Sequence, residues 1–119
     1  MCHTGAMASP KRTIQHDFFV YVDTVVLTVN PDRSIDPQQR LEVLVMRRPD
    51  APANKWALPG GAVRDNEKLE DTAIRKVQEE TGISLRHRDL HQVGAFGDPD
   101  RDDRFRAISV AYVALVPHP

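Results

Sequence analysis

The chain has almost no cysteine. Its 119 residues contain one, Cys2, which excludes an internal disulfide framework and points to a reducing compartment, so a cytoplasmic location is expected. It has no apolar run approaching about 18 residues, so no membrane span is expected. The first residues show no apolar h-region, so no secretory signal is expected either. Net charge is also lacking: 16 Lys and Arg against 17 Asp and Glu leave −1. That balance gives no general pull toward nucleic acid or membrane, and direct nucleic-acid binding by this segment is not expected.

What is present is one dense stretch, Trp56 to Ile83 (WALPGGAVRDNEKLEDTAIRKVQEETGI). Pro59-Gly60-Gly61 is a turn signal that lets backbone groups approach a ligand closely. Asp65 or Asn66 is expected to cap a helix, and Gly82 to end it in the left-handed conformation. The span between them is free of Gly and Pro and amounts to about four turns. Leu69, Ala73, Ile74 and Val77 recur at helical spacing and form a stripe to be buried. Arg75 and Glu79 share another face, as do Lys76 and Glu80, and Glu67, Asp71 and Arg75 follow the same spacing. A solvated helix laced with weak ion pairs is the ordinary reading of such a pattern. Two features argue against it. Adjacent Glu79 and Glu80 near a helix C-terminus oppose the macrodipole, and two acids converging on one point make a hard oxygen site for Mg²⁺ or Mn²⁺.

Gly61, Glu67, Arg75, Val77, Glu79, Glu80, Gly82 and Ile83 resemble the Nudix box, and Trp56 to Gly61 looks like that family's lead-in. The resemblance implies an α/β fold, a Nudix-type α/β/α sandwich with a mixed sheet. It implies binding of a divalent metal and of the diphosphate of a nucleoside diphosphate linked to another group. Carried over by position, Glu79 and Glu80 would hold metal, with the Gly60 carbonyl as a further ligand. Glu67 and Arg75 would fix the loop to the helix. One position departs. Where the family has a glutamate after the arginine, this chain has Lys76. An ammonium repels a dication, so a ligand is lost; Lys76 is left to pair with Glu80 or to reach a substrate phosphate as a point charge.

The rest of the chain reads as one domain over residues 17–119, preceded by a disordered tail over 1–16 in which His3 and Cys2 are not expected to bind metal. Phe18 to Val29 is expected to be a central strand covered on both faces, with Asp23 buried and hydrogen-bonded or, as the lesser alternative, facing a ligand. Leu41 to Arg47 alternates and reads as its hairpin partner across a polar loop. Arg47 and Arg48, at that strand's end, either clamp phosphate or solvate the edge. Trp56 is expected to pack under the turn rather than stack on a base. His87 and His91 read as surface residues. Gln92 to Phe96 and Arg106 to Val116 are further strands.

Gly97 to Phe105 (GDPDRDDRF) joins those last two strands and presents Arg101 and Arg104, suited to a diphosphate or ribose. It resembles the loop of an ADP-ribose-directed Nudix subgroup, although Phe105 stands where that subgroup has glycine. The subgroup contains both hydrolases and transcriptional regulators of NAD metabolism. The expected function is therefore metal-dependent cleavage of an ADP-ribose-like pyrophosphate. The alternative is a catalytically degenerate ADP-ribose sensor, in which Arg75-Lys76 replaces the enzymes' Arg-Glu. No general base is evident; an aspartate of the 98–103 loop is the candidate. The family's closing strand and helix are expected to be missing after Val116, leaving an apolar sheet surface that favours a homodimer or poor stability.

Overall fold

A computed structural model describes residues 17–48, 55–99 and 106–119. The expected tail over 1–16, the side chain of Arg48, and Arg101, Arg104 and the aspartates of 100–103 lie outside the residues or side chains it describes.

Two long apolar segments set the architecture. Strand β1 (Phe18–Val29) and strand β7 (Arg106–Leu115) run parallel at the centre of a sheet. Strand β2 (Leu41–Val43) flanks β1 antiparallel, and strand β6 (Leu90–Phe96) flanks β7 antiparallel, with a register shift between Gln92 and Gly94. The sheet is thus mixed, in the order β2-β1-β7-β6. A fifth strand, β5 (Gly60–Ala62), pairs antiparallel with the first half of β1. The glycine stretch is therefore a strand of the sheet, paired among the described residues with β1 alone. Two short strands, β3 (Met46–Arg48) and β4 (Lys55–Ala57), form a separate antiparallel ribbon.

The segment expected as one strand over 41–47 is broken at Leu44 and Val45. The Leu44 N–H still reaches the Val26 carbonyl at 2.9 Å before the chain leaves the sheet to build the ribbon. Across one face of the sheet lies the one α-helix among the described residues, α1 (Leu69–Thr81). It ends at Gly82, whose φ of 81° is the left-handed value that glycine adopts without a Cβ penalty. Its start differs from expectation. Lys68, rather than Asp65 or Asn66, is the N-cap, and it makes no side-chain cap. The reason is local: Glu67 is drawn back onto the helix by Arg75 and Thr72, so the residues before it are held as loop.

The core lies between α1 and the even-numbered face of the central strands. Val22 and Val26 of β1 and Val110, Tyr112 and Ala114 of β7 meet Ala73 and Val77 of the helix, with Leu69 and Ile74 packed at the margin. Burial of this alternate set is what orients the sheet. The opposite face differs from the expected double covering. Tyr21, Asp23, Val25 and Leu27 are half-buried there, and Val29 is exposed.

Candidate functional site

The site is built where the end of α1 faces β5. The last turn of the helix carries Glu79 and Glu80 and no basic residue, an arrangement that costs helix stability because acids there meet the negative end of the macrodipole. Two contacts offset it. The Gly60 N–H donates to Glu80 Oε1 at 3.0 Å, so one of the acids points at the glycine strand. Lys76 Nζ lies 3.3 Å from Glu79 Oε1 and 3.5 Å from Glu80 Oε2. One ammonium therefore sits between both carboxylates. Its hydrogen bond, ahead of the Arg75 charge 3.6 Å away, holds the Glu79 carboxyl below the usual range.

The lysine's stem explains a glycine. A Cβ on Gly61 would lie 2.6 Å from Lys76 Cε and 2.9 Å from Cδ, so the missing side chain is what lets the stem lie across β5. Gly60 is required from below: a Cβ there would collide with the Asp23 carboxylate and the Val22 carbonyl. Asp23, half-buried, accepts a hydrogen bond from Ser109. The Pro59 carbonyl accepts from the Thr24 N–H at 2.9 Å, tying the start of the glycine stretch to the central strand.

The loop between β5 and α1 is clasped by one bidentate pair. Arg75 Nε donates to Glu67 Oε2 at 2.7 Å and Nη2 donates to Oε1 at 2.9 Å. Nη2 also donates to the Ala62 carbonyl at 3.2 Å, and the Thr72 hydroxyl donates to Glu67 Oε1 at 2.7 Å. Planar guanidinium against planar carboxylate gives two parallel charge-assisted bonds. The Arg75 hydrogen bonds, and then the Thr72 hydroxyl, bring the Glu67 carboxyl down to about 2. The same pairing raises Arg75 above its ordinary value.

Thus the structure brings Gly60, Gly61, Glu67, Arg75, Lys76, Glu79 and Glu80 together. It sets Arg47 apart, on the ribbon, with its guanidinium 5.1 Å from the centroid of the Trp56 ring. Trp56 is not packed under the turn; it is 61% exposed. Asp98 is exposed two residues beyond the end of β6. His87 is a surface residue, as expected, but it has a partner: its Nε2 lies 2.6 Å from Asp71 Oδ1. Sequence reasoning missed Thr72, a fully buried hydroxyl five residues after Glu67. Its position one helical turn before Arg75 was the available signal.

A divalent ion needs several hard oxygen donors around one point. Among the described residues no three acidic, histidine or cysteine side chains surround one point. The two glutamates nonetheless converge on a single cation, the Lys76 ammonium, and they are hard anionic oxygens. They fit magnesium or manganese in kind, provided that the flexible lysine swings out, since a dication and an ammonium repel each other.

The family model for the NUDIX domain matches residues 22–118. The ADP-ribose pyrophosphatase of Methanocaldococcus jannaschii is 34% identical over 73 residues, covering 60% of this chain and 42% of that protein. The ADPR responsive transcriptional repressor NtrR of Acinetobacter baylyi is 38% identical over 86 residues, covering 70% of this chain and 33% of the repressor. The chain thus spans less than half the length of these relatives. Among solved structures, the NUDIX domain of Shewanella oneidensis NrtR complexed with ADP ribose superposes with a TM-score of 0.69 at 31% identity, over 96% of this chain and 69% of that one. A MutT/nudix family protein from Enterococcus faecalis superposes with a TM-score of 0.73 at 34% identity, over 92% of this chain and 40% of that one.

Proposed function

The chain belongs to the Nudix family, and on that premise we propose that it hydrolyses the pyrophosphate of a nucleoside diphosphate linked to another group, with an ADP-ribose-like compound as substrate. The observation that carries this reading is the convergence of Glu79 and Glu80 on one ammonium at the end of α1, with Glu80 also held to the glycine strand by the Gly60 N–H. The two glycines place bare backbone beside the acids, and a diphosphate reaches it once the Lys76 stem, which lies over Gly61, moves aside. Glu79, Glu80 and the Gly60 carbonyl would hold magnesium or manganese, which supplies Lewis acidity at the diphosphate when bound. Glu67 and Arg75 position the loop from behind. Arg48, Arg101 and Arg104 are assigned to phosphate and ribose, and Lys76, once displaced, brings its charge to a phosphate oxygen. Both the pyrophosphatase relative and the ADP-ribose complex of a structural neighbour support the choice of substrate.

A second reading is favoured by one observation, the Lys76 ammonium lying between the two acids. In it, the pocket holds the nucleotide without cleaving it, and the repressor relative has that kind of ligand response. One assay separates the two. The protein is incubated with ADP-ribose and Mg²⁺, and AMP is followed in the wild type, Glu80→Gln and Lys76→Glu. Release of AMP by the wild type that Glu80→Gln abolishes supports the hydrolase. Binding without AMP, with cleavage appearing only in Lys76→Glu, supports the sensor. No binding by any of the three overturns both readings.

A further inference from the structure

The ribbon of β3 and β4 has no part in the acid and glycine cluster, yet it carries the chain's single tryptophan in the open. Arg47 and Trp56 stand directly opposite each other in the ribbon register, and the guanidinium lies over the indole ring at 5.1 Å. A guanidinium stacked on an indole fixes the ring's orientation and is held by the ring quadrupole. It covers one of the two ring faces. Since Trp56 is 61% exposed, a broad aromatic surface is left to solvent. Lys55, its neighbour in the chain, and Arg47 are both exposed, so two positive charges accompany the ring.

Its placement relative to the acid cluster is constrained by the chain itself. Three residues, Ala57 to Pro59, separate Trp56 from Gly60, and the four steps between them limit the span to about 14 Å. Pro59, the residue before Gly60, is hydrogen-bonded to the central strand, so the near end of that span is fixed. A nucleotide whose diphosphate lies at Gly60 has its base within reach of the ribbon.

We infer that Trp56, oriented by Arg47, is the stacking platform for the nucleobase of the bound nucleotide. This inference rests on the nucleotide reading above and adds a subsite to it. The ring offers a π-face and no hydrogen-bond pattern for a base edge, so the platform tolerates different nucleobases and selects a base-containing ligand over a bare sugar phosphate. Arg47 acts here as a positioning residue, holding the ring for the base.

The single tryptophan makes the test direct. Indole emission is followed while ADP-ribose, AMP, ribose 5-phosphate and inorganic pyrophosphate are titrated into the full chain, and ADP-ribose affinity is measured separately by calorimetry. ADP-ribose and AMP are expected to quench the emission saturably, and ribose 5-phosphate and pyrophosphate to leave it unchanged. Trp56→Ala is expected to weaken ADP-ribose about tenfold, the scale of one lost base–aromatic stack. Trp56→Phe, which keeps a ring and guards against a folding defect, is expected to stay within about threefold of wild type. Equal quenching by ribose 5-phosphate, or unchanged ADP-ribose affinity in Trp56→Ala, overturns the platform while leaving nucleotide binding standing. Absence of calorimetric binding in the wild type overturns the platform and the nucleotide reading together.

Discussion

At the scale of single residues, the most consequential side chains are Lys76 and Glu67. They illustrate two uses of charge. Lys76 holds two carboxylates that would otherwise repel each other at the weak end of a helix dipole. Its removal leaves those acids facing one another, which explains why a cation of some kind belongs there. Glu67 is different, because its partner is fixed and bidentate. Its carboxyl is held at about 2, below the ordinary 4.5 of a free glutamate. A depressed folded value means that the stabilisation is fully present above about pH 4.5 and is lost as the pH falls toward 2. Acid unfolding of the wild type is therefore expected to have a component in that window that Glu67→Gln lacks. Parallel melting curves for the two proteins from pH 5 to about 2 would remove the Glu67 pair from the account.

At the scale of elements, the helix was the most legible part of the sequence. Its stripe of Leu69, Ala73, Ile74 and Val77 repeats at helical spacing, and its glycine stop is unambiguous, since the backbone at Gly82 has to turn left-handed. Val77 is fully buried against β1 and β7. Val77→Ala is expected to cost about 2 kcal/mol from the lost methyls and the space they leave. Urea denaturation is the measurement, with an unchanged m-value and a lower midpoint as the expected result. The long strands were legible for the same reason, a run of β-branched and aromatic residues. The short ones were not. β4 and β5 have three residues each, too few for any alternation to show, and β5 is mostly glycine. Only tertiary pairing with β1 makes a strand of Gly60–Ala62. Trp56 misled for a related reason: hydrophobicity predicts burial, but the ribbon that carries it is separate from the main sheet and leaves the ring 61% exposed beside Arg47. The candidate site was legible in its residues, because fixed spacing marks a box. The embrace of both acids by Lys76 was not, since i,i+3 and i,i+4 spacing permits either pairing alone.

At the scale of the whole molecule, the sheet has one face closed by α1 and another that is apolar and open at one end. Register aligns Leu27 with Val43 on one side and with Leu115 on the other, and Val29 with Leu41. Of these, Val43, Leu115, Val29 and Leu41 are exposed. Contiguous apolar surface of this kind marks a place of association. The protein is expected to self-associate with rising concentration, and Leu115→Lys to shift it toward monomer. Sedimentation velocity over a hundredfold concentration range checks this. A monomer throughout, melting cooperatively, would defeat the expectation. No helix among the described residues is long and apolar enough to cross a membrane.

The clasp of Arg75 on both Glu67 and the Ala62 carbonyl has one further consequence. A single guanidinium grips the strand, the loop and the helix at once, so these three pieces cannot loosen separately. Breathing of the glycine segment then requires the helix to breathe with it. A visitor that pries the strand outward works against the stiffness of the entire upper layer, and shape is kept at the point where charge is most crowded.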